Sequence, residues 1–206
     1  MTMVQTVQVA VLGAPGVGKT SIIRQFVAQE FQEEYTPTES RQLYRASAVL
    51  SERMYELLIL DLPNLPRYPG SAGQEWLDPQ FRGLRNTRVF ILVFDICSPE
   101  SFHHVKQLRQ QIIDSRPAAT SKPPLIVVVG NKRDQQKHRF VPRHVLSILV
   151  KKSWKCGYLE CSAQNNWHIL LLFKELLIST TTRRSRSHTP SICLQGALHR
   201  ERCSVM

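Results

Sequence analysis

Apolar residues in this chain fall into short continuous runs, and the segments between the runs show helical spacing. "QVAVLG", ending at Gly13, "RVFILVFD", ending at Asp95, and "PLIVVVGNKRD", from Pro124, have the unbroken apolar character of strands buried on both faces of a parallel sheet. "QLYRASAVL" and "MYELLILD" read as two strands joined by a polar turn at Ser51 to Arg53, and "GYLECSA" as a short last strand. Between them, the stretch from Lys19 to Gln29, "SPESFHHVKQLRQQIIDSR", "VPRHVLSILVKKS" and "NNWHILLLFKELLIS" repeat apolar positions at helical spacing. Ser98 suits an N-cap, with Pro99 at the first helical position. Strands alternating with helices predict an α/β fold: an open, mostly parallel sheet with helices on both faces, whose ligands bind beyond the C-terminal strand ends.

Length and composition bound this picture. A chain of 206 residues, 42% of them hydrophobic, buries one sizeable core, so a single domain over residues 1–179 with a basic, disordered tail over 180–206 is expected. The net charge of +11 suggests acidic partners. In the tail, Arg183, Arg184, Arg186, Arg200 and Arg202 stand against Glu201, but no long block of like charge occurs, so nucleic acid is not the expected partner. The N-terminus reads as a strand and not a signal peptide, and no apolar run reaches the ~20 residues of a spanning helix, so a cytosolic chain is expected. Five cysteines without CxxC spacing indicate neither a zinc site nor a disulfide framework; Cys97, Cys156 and Cys161 read as reduced thiols in or near the core. Trp154 and Trp167 read as packing residues on apolar helical faces. His103, His104, His144 and His168 lack ligand-spaced partners, so no metal role is expected for them.

The chemical motifs fall at strand ends. Gly13, Ala14, Pro15, Gly16, Val17, Gly18, Lys19 and Thr20 fit G-x-x-x-x-G-K-[ST], continued by Ser21. In such a loop, backbone amides and a helix N-terminus cradle phosphates, the lysine reaches the β- and γ-phosphates, and the threonine can ligate Mg²⁺. This alone does not separate GTP from ATP. "GNKRD" does: Asp134 can accept hydrogen bonds from guanine N1 and the exocyclic amine, which adenine cannot supply, while Asn131 and Lys132 brace the loop and cover the base.

These motifs, with "KCGYLECSA", "NWHILLLF" and a C-terminal C-a-a-X box, resemble a Ras-family small GTPase over Gln5 to Ile178, and are similar to its divergent Ras-like family 10 group. The resemblance implies a P-loop NTPase G domain with a six-stranded sheet, GTP or GDP and Mg²⁺ as ligands, and a monomeric signalling switch. "FQEEYTPT" resembles the first switch loop, which implies Phe31 against guanine, Tyr35 over the phosphates and Thr38 on Mg²⁺ when the γ-phosphate is present. "ECSAQ" resembles the last guanine loop, with the Ala163 amide toward the base, Ser162 supporting Asp134, and Gln164 where many relatives have lysine. Asp61 stands where the family holds Mg²⁺ through water. The first switch, Tyr35 to Ser40, and the second region, Leu62 to Trp76, are the expected surfaces for effectors and regulators.

The usual continuation after Asp61 is D-x-x-G and then glutamine, which orients the attacking water. Two registers stand open here. Counted directly, Asn64 takes the glycine place and Leu65 the glutamine place, leaving no water-positioning group. With "LPNLPRYPG" looped out, "SAGQEW" resembles the continuation and Gln74 joins Lys19 as a catalytic residue; otherwise Gln74 is a surface glutamine near an anchoring Trp76. Pro63, Pro66 and Pro69 predict an irregular loop in place of a helix. Pro15, where many relatives carry glycine, adds a ring near the γ-phosphate, and slow hydrolysis is expected. A constitutively GTP-bound binding module is the alternative.

"CSVM" fits C-a-a-X and predicts farnesylation of Cys203, with the last three residues removed and the new terminus methylated. One lipid chain attaches marginally, so the tail arginines, each worth ~1 kcal/mol near an anionic leaflet, or palmitoylation of Cys193, would supply the second signal. Attachment to the cytoplasmic face of the plasma membrane is the expectation, and "RRSRSH" leaves a nuclear pool open.

Overall fold

The computed structural model describes residues 4–65, 67–116 and 123–184. Six strands form one sheet: β1 (Gln5–Gly13), β2 (Gln42–Leu50), β3 (Arg53–Asp61), β4 (Val89–Asp95), β5 (Leu125–Asn131) and β6 (Gly157–Glu160), ordered β2-β3-β1-β4-β5-β6. Every pairing is parallel except β2 with β3, whose hairpin turns through Ser51 and Glu52, both with left-handed backbone. The strands lie where the apolar runs predicted them, because residues buried on both faces leave no polar positions to break the run.

Helices cover both faces. On one, α1 (Lys19–Val27) and α5 (Ile169–Arg184) bury Ile22, Ile23, Phe26, Leu172, Phe173 and Leu176 against Val9, Val11 and Ile59. The rings of Phe26 and Phe173 stack at 3.7 Å. On the other face, α3 (Pro99–Asp114) and α4 (Arg143–Ile148), which continues into a π-turn at Leu149–Ser153, pack Val105, Leu108, Leu146 and Val150 against Phe90, Leu92 and Phe94. As predicted, Ser98 caps α3, its hydroxyl accepting from the Ser101 amide at 3.1 Å, with Pro99 in the first turn.

Three expectations are corrected. The second-switch region is not irregular throughout: α2 (Ala72–Leu77) and a 3₁₀ turn (Pro79–Phe81) follow the prolines. Pro63 and Pro69 precede Ser71, the N-cap residue, and so do not interrupt the helix. Trp167 is not on a helix; it forms an antiparallel bridge with Ser162 ahead of α5, while Trp154 ends the π-turn and stacks on Phe102 at 5.5 Å. Trp76 is no anchor, being 71% exposed. Helix α5 extends to Arg184, the last described residue.

Buried residues tie the stretch between β3 and α2 to the second core face. Leu62, Leu65 and Tyr68 are each 1% exposed. Tyr68 meets Phe90 edge-on at 6.0 Å, its hydroxyl donates to the Leu84 carbonyl at 3.1 Å, and its amide donates to Gln111 Oε1 at 2.8 Å.

Candidate functional site

The strand ends at the C-terminal edge of β1, β3 and β5 surround a cavity of about 1,020 Å³. At one end lies the loop between β1 and α1. Gly13 is forced by its neighbour, since a Cβ there would stand 2.2 Å from the Val93 carbonyl oxygen. Gly18 has a left-handed φ of +89°, and a Cβ on it would meet Asn131 Nδ2 at 2.3 Å. Pro15, Gly16, Gly18, Lys19, Thr20 and Ser21 line the cavity, whereas Ala14 and Val17 face a smaller neighbouring one. Lys19 Nζ donates to the carbonyls of Gly13 and Ala14 at 3.0 and 2.9 Å, which curls the lysine over its own loop. Burial lowers the Lys19 pKa, and Asp61 partly offsets that.

Three oxygen ligands converge beside the lysine. Thr20 Oγ1 donates to Asp61 Oδ2 at 2.6 Å and lies 2.9 Å from Thr38 Oγ1. Asp61 is fully buried, and its Oδ1 has no hydrogen-bond partner. Burial raises its pKa, against the opposing pull of the Thr20 hydroxyl and Lys19. Two hydroxyls and a carboxylate with an orphaned oxygen are the hard donor set that suits Mg²⁺, so Thr20, Thr38 and Asp61 fit the ion. When bound, the ion supplies neutralisation of charge on phosphate oxygens.

At the other end, Asn131 joins three loops. Its Nδ2 donates to the Val17 carbonyl at 2.9 Å, and its Oδ1 accepts from the Ala163 amide at 3.1 Å and from Cys161 Sγ at 3.6 Å. Asp134 accepts from the Ser162 hydroxyl, which also receives the Asn165 amide at 3.1 Å. Lys132, with left-handed backbone, holds Asp95 Oδ2 at 2.9 Å. Phe31, Tyr35, Thr38, Asp134, Ala163 and Gln164 all line the cavity.

Each residue expected to hold nucleotide or Mg²⁺ thus lines this cavity or is hydrogen-bonded to one that does, whereas Gln74 stands apart. Gln74 does not line the cavity among the described residues. Its amide donates to Ser71 Oγ at 3.3 Å and its Oε1 accepts from the Gly70 amide at 2.8 Å. This resembles a capping box, except that the glutamine side chain returns to the amide of Gly70, one residue before the N-cap, so Gln74 serves the start of α2. Leu65, the glutamine place of the direct register, is buried in the core. Neither Leu65 nor Gln74 lines the cavity, and Leu62 and Asn64 are the residues between Asp61 and Leu65 that do.

Sequence reasoning missed three contributors. Asp95 fixes Lys132 and accepts from the Cys97 amide at 2.8 Å; its place at the C-terminal end of β4 was the available signal. The Arg133 guanidinium lies 3.8 Å from the centroid of Trp167, which stacks on His168 and clamps the two guanine loops together. Nothing local in the sequence announces that pair.

A family model described as the Ras family matches residues 8–182. The chain belongs to the Ras family. This Ras-family chain is 50% identical over 204 residues to human Ras-like protein family member 10B, covering 99% of this chain and 100% of the relative. It is 52% identical over 204 residues to mouse Ras-like protein family member 10A, covering 98% of each. Mouse GTP-binding protein Di-Ras2 is more distant, 34% identical over 170 residues, with 82% of this chain and 79% of the relative covered. The chain is thus a Ras-family small GTPase related to the Ras-like family 10 and Di-Ras proteins, and such proteins bind GTP and GDP.

Proposed function

We propose that this chain is a membrane-attached guanine-nucleotide switch with slow intrinsic hydrolysis. The observation that carries the slow step is the pairing of Gln74 Oε1 with the Gly70 amide together with the burial of Leu65, which leaves neither side chain at the phosphate end of the cavity. Guanine selection is ascribed to Asp134, with Ser162 holding its carboxylate and Asn131 joining the surrounding loops. Thr38, near Thr20, is the residue through which the γ-phosphate and Mg²⁺ order the first switch loop and so form an effector surface over Tyr35 to Ser40.

Membrane attachment is assigned to prenylated Cys203 with the tail arginines as second signal; both lie outside the described residues, as does Cys193. Cys203→Ser is expected to move the protein from the membrane to the soluble fraction, and retention at the membrane would remove this part of the reading.

Single-turnover release of phosphate from γ-labelled GTP tests the catalytic part. Slow release, unchanged in Gln74→Leu, is expected. A rate equal to that of ordinary Ras-type enzymes sinks slow hydrolysis, and a collapse in the variant restores Gln74 as the water-positioning residue. Negligible release with GTP still tightly held makes the chain an anchored GTP-bound binding module, the reading that the same two side chains also favour.

A further inference from the structure

Asn64 stands where two cavities meet. Beside the nucleotide cavity lies a smaller one of about 580 Å³, walled by Ser98, Glu100, Ser101 and His104 of the α3 N-terminal region, and Pro15, Gly16, Asn64 and Lys132 line both. Of these four, Pro15 offers a hydrocarbon ring and Gly16 no side chain, while Lys132 is engaged with Asp95. No hydrogen bond among the described residues holds the Asn64 carboxamide. Its backbone is nevertheless well placed, because Leu62 and Leu65 on either side are each 1% exposed.

We propose that the Asn64 side chain contacts the terminal phosphate of bound GTP and orients the attacking water, the task for which neither Gln74 nor Leu65 is available. The inference rests on the guanine-nucleotide reading above and deepens it. Lys19 marks the β- and γ-phosphate end of the cavity, and the second cavity, whose lining includes Ser98, Ser101 and His104 beside Asn64, has room for water. A carboxamide suits the junction because its NH₂ can donate to a γ-phosphate oxygen while its oxygen accepts from water. In the reaction, a lone pair of the water oxygen forms the new bond to the γ-phosphorus. The bond from that phosphorus to the β–γ bridging oxygen breaks, its electron pair leaves with GDP, and one water proton passes to a γ-phosphate oxygen. Asparagine is one methylene shorter than glutamine, and it can act here because residue 64 itself lines the cavity.

The test uses the full chain with fluorescent GDP, a non-hydrolysable GTP analogue and Mg²⁺. Asn64→Ala is expected to weaken the analogue by at least about tenfold relative to GDP, on the scale of one hydrogen bond to a charged group, and to slow single-turnover release by about tenfold or more. GDP affinity and thermal midpoint should stay at parent values, which a merely structural role for Asn64 would not allow. Asn64→Asp, carrying negative charge toward the phosphate, should lose more of the analogue's relative affinity than Asn64→Ala. An unchanged ratio of analogue to GDP affinity in Asn64→Ala overturns the proposal whether or not the parent hydrolyses GTP. A parent that binds neither nucleotide instead ends the guanine-nucleotide reading itself.

Discussion

The Asn131 carboxamide donates to the Val17 carbonyl oxygen at 2.9 Å, linking positions 114 residues apart in sequence. Together with the bond it receives from the Ala163 amide, this makes one buried side chain the tie between the phosphate loop and both guanine loops. Asn131→Ala removes these two buried hydrogen bonds and the long one from Cys161 Sγ, at roughly 2–4 kcal/mol in total. GDP release measured by stopped-flow fluorescence should accelerate at least about thirtyfold, which is the factor the lower end of that range gives if it falls on the bound state.

Trp167 should contribute to nucleotide retention without touching the cavity. Its ring covers the Arg133 guanidinium at 3.8 Å, and Arg133 lies between Lys132 and Asp134. Trp167→Ala keeps the main-chain bridge to Ser162 and loses the cation–π contact, on the order of 1 kcal/mol. GDP dissociation is expected to speed up by about threefold to tenfold, with a smaller effect on the nucleotide-free melting temperature.

Tyr68→Phe leaves the Leu84 carbonyl without its buried donor at a cost of about 1–3 kcal/mol. In a domain of this size that lowers the thermal midpoint by roughly 2–10 °C. Tyr68→Ala empties a site 1% exposed and should cost about 3–5 kcal/mol. Differential scanning fluorimetry of both variants separates the hydroxyl from the ring.

His104 gives the native state a defined response to acid. Its Nε2 is buried without a hydrogen-bond partner; burial, and secondarily the Lys19 charge, lower the ring pKa below 6.5, opposed by a hydrogen bond with the Leu65 backbone. Below that value the unfolded chain therefore binds more protons at this residue than the native one does. Stability contributed by neutral His104 is present at neutral pH and is lost as pH falls from 6.5 through the lowered native value. His104→Asn should lose less thermal stability than the parent between about pH 7 and about pH 5. Equal losses in the two proteins would show that another group governs the response.

The strands and the ligand loops were legible because each depends on local pattern: unbroken apolar runs for β1, β4 and β5, and polar motifs at their ends. The second-switch region was harder. Three prolines suggested a loop throughout, yet Ser71 followed by Gln74 is itself a helix-start signal, and its capping geometry decides both where α2 begins and what Gln74 does. Tertiary relationships left no local trace. Tyr68 was an unremarked member of a proline-rich segment, and its burial follows from Phe90, Leu84 and Gln111, which come from three other parts of the chain. Trp167 looked helical because the apolar period continues into α5, whereas its left-handed neighbours Asn166 and His168 keep it outside the helix.

Fastening Tyr68 and Leu84 to the same core face has a mechanical result. Between these two points Trp76 and Leu77 stand 71% and 85% exposed, while Phe81 packs against that core face and the Arg82 carbonyl accepts from Arg41. The exposed apolar surface of this stretch is therefore carried by α2 alone, on a segment held to the body of the domain both before and after it.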